Sequence, residues 1–559
     1  MNNPEEEKNN SSNDVQGANQ SGNMYSFNHD QQNNQNLEAG AIRRSLGEGN
    51  PNAISNYQIN NNINQNDQII DPNTLTIQVD QSPPLYWMFF LIFGIIQIIF
   101  IILIANFYDW DNLNKPSTIG DKDNTKAKEQ LEKNFKTFQD INIMIILGFG
   151  FLRAFLKHYS WSSIAITFIG GILSFEFGLF SIICWASIIR RKWKCGVINF
   201  RYLLDANYCA AAIIISMGAL FGKLSFPQYF VMILCETIFS TLNYVLNRQK
   251  LKIIDTGGAL TVHLFGAIYG AIFTLISFSS KSERDRISVS PHLGKNYNSN
   301  IFGLFGTLIL ITYWPSFNTG LVEGNQKYRG IINTYLSIGG SIIGTIIISS
   351  VCNKRKFKIE DILNSSFAGG IIIAGCCTII REFWSCIILG FFAGGLSSFL
   401  FFILNNKLIE IGYHDTSGIL FYHGIPGFLG GIISTIFVGN LKKWPISDVD
   451  YLKYIDYYMN YTNFDFGDKY SNRTESYTYT QRAGIQFGSI FLTISIAAVS
   501  GLFSGFLIKF CNCEIAIRYF NDSEIFDDSD NEPFPWDDEK VLIKLNYKSR
   551  KNNRRIITG

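Results

Sequence analysis

After about 80 polar residues the chain changes character, and long apolar runs alternate with short polar breaks. The first run, Leu85 to Ala105, holds 21 uncharged residues. That length suffices for one helical crossing of a hydrocarbon layer roughly 30 Å thick. A charged stretch at 108–140 follows. Further apolar segments then fall at 141–157, 162–187, 205–222, 228–247, 255–278, 301–318, 331–351, 367–381, 385–404, 416–438 and 483–509. The pattern predicts an all-α polytopic membrane protein of about 12 transmembrane helices, the first an addition to an eleven-span core. Glycine pairs within the segments, such as Gly170-Gly171, Gly339-Gly340 and Gly394-Gly395, let neighbouring helix backbones approach closely.

Two of these segments share an internal pattern. Asp255-Thr-Gly-Gly-Ala-Leu-Thr-Val-His263 and Asp415-Thr-Ser-Gly-Ile-Leu-Phe-Tyr-His423 each begin Asp-Thr-x-Gly and carry a histidine eight residues after the aspartate. Eight helical residues rise about 12 Å, so an aspartate near a membrane face puts its histidine near the midplane. The two segments lie five spans apart and therefore run in opposite directions. The same pattern in opposite directions is the signature of an inverted repeat, here of five helices, with a shared central site or pore at mid-membrane. An ionisable residue inside a span is costly and marks a candidate functional site. The other histidines, His29, His158, His292 and His414, fall in the polar tail, at span ends or in loops.

Asp255 and Asp415 each precede Thr and small residues at a helix start, where a carboxylate can accept hydrogen bonds from free backbone N–H groups. A cation-attracting role for Asp255 at a vestibule is the other reading. The histidine pair can pass a hydrogen bond or a proton, and apolar burial keeps it neutral. A hydrolase would need a nucleophile beside a base, and a metal site would want carboxylate or thiol company. Neither set is visible, so no enzyme activity, metal or cofactor is expected.

Composition changes the picture little. The net charge of +2 argues against a nucleic-acid partner. The ten cysteines lie mostly in apolar runs, and Cys511-Asn-Cys513 has the wrong spacing for zinc. Residues 1–80 are rich in Asn and Gln and are expected to be a disordered tail without a cleaved signal peptide. Residues 81–510 form the membrane domain, and 511–559 read as a cytosolic tail with an acidic stretch near Asp527 to Glu532. Basic loops on both sides leave the orientation undecided by charge. Sequons at Asn460 and Asn472, if used for glycosylation, place their loop outside and both termini in the cytosol.

The chain resembles the ammonium transporter and Rhesus glycoprotein family, the Rhesus branch more closely. The likeness is carried by FQDINIMIILGFGFLRAFLKHYSWSSI from Phe138, DTGGALTVHLFGAIYG from Asp255, YWPSFNT from Tyr313, INTYLS from Ile332 and DTSGILFYHGIPGFLGGI from Asp415. It extends over roughly residues 85–510. The resemblance implies a homotrimer in the bilayer, most naturally of the plasma membrane, with an apolar pore through each subunit. It further implies that ammonia or ammonium is the substrate, with carbon dioxide as a further suggestion. The pore would pass an aromatic gate, Phe317 with Tyr208 in place of the usual Phe, and then the twin histidines His263 and His423. The Tyr208 hydroxyl wants a partner and leaves the polarity of the gate open. Arg153 and Glu176 lie in spans where the family is typically uncharged, and a pair between them is one possibility. Tyr244, beside Asn243, replaces the acidic residue common near the end of the family's fourth span. A sensor that binds ammonium with little flux is the competing function.

Overall fold

The computed structural model describes residues 84–110, 123–156, 159–193, 196–278, 295, 297–322, 324–441 and 478–510. The polar tail, the C-terminal tail and both sequons lie outside the described residues. Each predicted segment corresponds to helical structure. In chain order these are α1 (Pro84–Phe107), α2 (Asn134–Arg153), α3 (Ser160–Arg190), α4 (Phe200–Met217), α5 (Phe226–Lys250) and α6 (Ala259–Ser277). After them come α7 (Tyr297–Thr319), α8 (Asn325–Cys352), a broken α9 (Ile359–Ser365 and Ala368–Ile372), α10 (Phe383–Glu410), α11 (Leu420–Asn440) and α12 (Tyr479–Phe510). Among the described residues, 9 helices are long and apolar enough to cross a membrane. One short parallel pair of strands, β1 (Tyr108–Trp110) and β2 (Gly196–Ile198), joins the chain after α1 to the chain after α3.

The segment 367–381 differs from the expected span. It forms only the short helix Ala368–Ile372 and then a run of turns, with every residue from Phe367 to Ile380 buried. Non-helical backbone at membrane depth survives only where protein satisfies its polar groups. Neighbouring side chains do so here. Asn333 Nδ2 donates to the Cys377 and Ile380 carbonyls at 2.8 Å each, Asn318 Nδ2 to Gly370 O at 2.9 Å, and Ser337 Oγ to Gly369 O at 2.7 Å. The matching segment of the first half breaks as well, since α4 gives way to turns from Gly218 to Gly222.

Small residues set the closest helix crossing. Gly340 and Gly344 of α8 lie against the α10 backbone at Ile387 and Phe391, while Gly390 and Gly394 of α10 lie against Ser337 and Ser341 of α8. Gly339, one position away, meets nothing. Gly344→Val should therefore lower stability by about 1–3 kcal/mol through overpacking. Gly339→Ala should not lower it. Thermal unfolding of the detergent-solubilised protein checks the contrast.

Candidate functional site

The two matched motifs fold alike, position by position. Each aspartate stands before a glycine with positive φ, Gly258 at 74° and Gly418 at 68°. A side chain there would be strained by its backbone, and its Cβ would also collide with Val262 or Tyr422. From each glycine the chain enters a π-helical turn, Ala259–Leu264 in one motif and Leu420–Gly424 in the other, that carries the histidine. Such widened turns recur at functional sites. The helices thus begin a few residues later than hydropathy suggests, because Asp-Thr-x-Gly serves as the lead-in.

The carboxylates hold those turns. Asp255 accepts from Leu260 N at 3.3 Å, Thr261 N at 2.9 Å and Thr261 Oγ1 at 2.8 Å. Asp415 accepts from Leu420 N at 3.1 Å and Tyr413 Oη at 3.0 Å. Each following threonine donates across to the opposite half: Thr256 Oγ1 to Ala374 O, and Thr416 Oγ1 to Ala219 O, both at 3.2 Å. The acceptors belong to the two interrupted segments, α9 with its turns and the turns after α4. Each motif is therefore docked on the broken helix of the other repeat.

This arrangement brings the histidines together. His263 Nδ1 and His423 Nδ1 are 3.3 Å apart, with the rings 5.4 Å between centroids and inclined by 20°. Both side chains are buried. Trp314 stacks on His263 at 5.6 Å and on Phe367 at 5.1 Å, and Phe367 lies 5.4 Å from His423. Phe149 covers His423 at 6.2 Å. One Nδ1 must donate to the other, so the rings hold opposite tautomers. One ring then offers an Nε2 acceptor and the other an Nε2–H donor. His263 Nε2 is buried with no protein partner. The pair can hold a small molecule that both donates and accepts.

Tyr208 and Phe317 also meet, with ring centroids 4.6 Å apart, and Phe317 lies 6.1 Å from His263. The Tyr208 hydroxyl donates to the Phe317 carbonyl. It therefore ties the aromatic pair together internally. Arg248 sits over the Tyr208 and Tyr244 rings and donates to Asp255 O at 2.7 Å. Tyr244 donates to Asp205 Oδ1 at 2.5 Å, so a carboxylate one helical turn from Tyr208 stands beside the position where the expected acid is missing.

The structure does not pair Arg153 with Glu176. Glu176 accepts from Gln97 Nε2 at 2.7 Å, whereas Arg153 lies between the rings of Phe149 and Phe221. Asp205, Arg248 and Glu236 are site neighbours that the sequence reading did not single out. Glu236 is fully buried in α5 and accepts from Ser216, although a lone acid within the run VMILCETIF was a signal in plain view. At the Asp415 end, Lys223 Nζ donates to Ala219 O at 2.6 Å and His414 O at 2.5 Å, and burial pushes its ammonium down to about 7.

Comparison with known proteins bears on the family and the fold. The Ammonium Transporter Family profile matches residues 116–528. Ammonium transporter Rh type C of Xenopus laevis is 31% identical over 382 residues, covering 67% of this chain and 76% of that protein. The dog Rh type C protein is 28% identical over 422 residues, covering 74% of this chain and 87% of its own length. Among solved structures, Rh50 of Nitrosomonas europaea superposes with a TM-score of 0.58 at 23% identity, over 76% of this chain and 99% of that one. Candida albicans Mep2 gives 0.55 at 14% identity, over 74% and 89%.

The hydrogen bonds of the two aspartates differ in number, and that difference predicts a ranking. Asp255→Ala should cost about 1.5–3 kcal/mol or more, because two buried backbone N–H groups and the Thr261 hydroxyl lose a charged acceptor. Asp415→Ala should cost less, with one backbone N–H and one phenol affected. Thermal unfolding of the two variants under one set of conditions reads the order.

Proposed function

Because this chain belongs to the ammonium transporter family, we propose that it conducts ammonia drawn from ammonium through a narrow apolar pore. The observation that carries the reading is the buried His263–His423 pair, with nitrogens 3.3 Å apart inside a wall of aromatic rings. Transporter membership also sets the chain apart from enzymes. Ammonium brought into such surroundings faces a desolvation cost of several kcal/mol or more, whereas neutral ammonia carries no charge to desolvate. Ammonium therefore gives its proton to water on the entry side before passage, and the ammonia takes one from water after leaving. Tyr208 and Phe317 form the gate that excludes water and ions. His263 and His423 then supply one acceptor and one donor in an otherwise dry lumen. Asp255 and Asp415 act as positioning residues that fix the turns bearing the histidines.

The same reading has the protein assemble as a homotrimer in the plasma membrane, with the chain termini cytosolic. The resemblance to the family suggests the assembly and the membrane, and the sequons at Asn460 and Asn472 suggest the orientation.

Stopped-flow ammonia uptake by proteoliposomes with an enclosed pH dye tests conduction. Wild-type protein should raise the rate clearly above empty liposomes. His263→Ala/His423→Ala should lower the protein-dependent rate about ten-fold, the effect of losing one or two hydrogen bonds of about 1 kcal/mol each. No flux from folded wild-type protein, alongside measurable ammonium binding, would overturn conduction in favour of a sensor.

A further inference from the structure

Arg153 ends α2 one helical turn beyond Phe149, the ring that covers His423. Its side chain is 1% exposed. The guanidinium carbon lies 5.8 Å from the ring centroids of both Phe149 and Phe221. Gly218, in the turn after α4, is so close that a Cβ there would come within 2.6 Å of Nη2. The group is thus clamped between two rings and a glycine. Arginine keeps its proton in proteins, so this positive charge is permanent.

An intramembrane arginine ordinarily pairs with an acid or with backbone carbonyls. Here Nε and Nη2 are buried without a protein partner. Glu176 is engaged by Gln97, and among the described residues no acid forms an ion pair with Arg153. Asp415 Oδ2 is already committed to Leu420 N and Tyr413 Oη. Arg153 thus brings a positive charge without an ion-pair partner to the His423 side of the histidine pair, and the aromatic pair Tyr208–Phe317 lies against His263 on the other. In the protein interior a like charge a few ångströms away disfavours a cation by about two orders of magnitude. Pores elsewhere exclude protons and cations by the same device.

We propose that Arg153 is a fixed positive barrier beside His423 that restricts this half of the path to neutral ammonia, so that neither ammonium nor a free proton accompanies it. The inference rests on the conduction reading above and adds to it the residue that sets electroneutrality.

The test pairs stopped-flow uptake with current on a supported membrane, using full-length protein in liposomes under an ammonium gradient. Wild-type protein should show flux without current. Arg153→Met should keep a flux and gain an ammonium-dependent current at least ten-fold above empty liposomes. Arg153→Gln takes the place of Arg153→Met should the latter fail to fold. A current in wild-type protein, or a conducting Arg153→Met and Arg153→Gln that both carry none, overturns the barrier and leaves conduction standing. Absence of flux from wild type and every variant overturns the conduction reading itself, and the barrier with it.

Discussion

Two imidazoles from opposite halves of the chain must meet in a space that offers them almost no other polar company, and much of the structure answers to that demand. A buried polar group without a partner costs on the order of 1–3 kcal/mol. The Nδ1–Nδ1 contact satisfies one nitrogen on each ring. Holding it requires both rings to project at the same depth from helices of opposite direction. The widened turns at Ala259–Leu264 and Leu420–Gly424 aim the rings, and the aspartates hold the start of each turn.

The turns in turn depend on helices that fail to complete themselves. Thr256 and Thr416 each donate to a backbone carbonyl of the opposite half, and carbonyls released from a helical ladder are the ones they use. Ala374 and Ala219 supply them because α9 and α4 break into turns there. The cost of the break is met by Asn333, Asn318 and Ser337, which cap the α9 backbone from neighbouring helices. Each repeat thereby stabilises the irregular part of the other. The symmetry of the site is an exchange of contacts between halves as well as a likeness in sequence.

The two ends of the path are unlike. At one end the hydroxyl that Tyr208 adds is taken up by the Phe317 carbonyl, which ties the aromatic pair together. Nearby, Asp205 and Tyr244 place a carboxylate on α4 where sequence comparison looks for one on α5. At the other end Arg153 lies between the rings of Phe149 and Phe221, and Lys223 donates to the Ala219 and His414 carbonyls.

The sequence by itself determined the number and order of the helical segments and the opposed pair of Asp-Thr-x-Gly…His motifs. Those features are written locally. Apolar run length follows the thickness of the bilayer, and an eight-residue spacing can be read without knowing any neighbour. It also carried the resemblance through WPSFN and the two histidine motifs. Only the tertiary structure decided that 367–381 is a broken helix, because its hydropathy is that of a span and the caps come from Asn318, Asn333 and Ser337, distant in sequence. The same holds for Arg153, which could be paired on paper with any intramembrane acid. Its actual neighbours are Phe149, Phe221 and Gly218, and a charge's partners are fixed by distance across helices rather than by position along one.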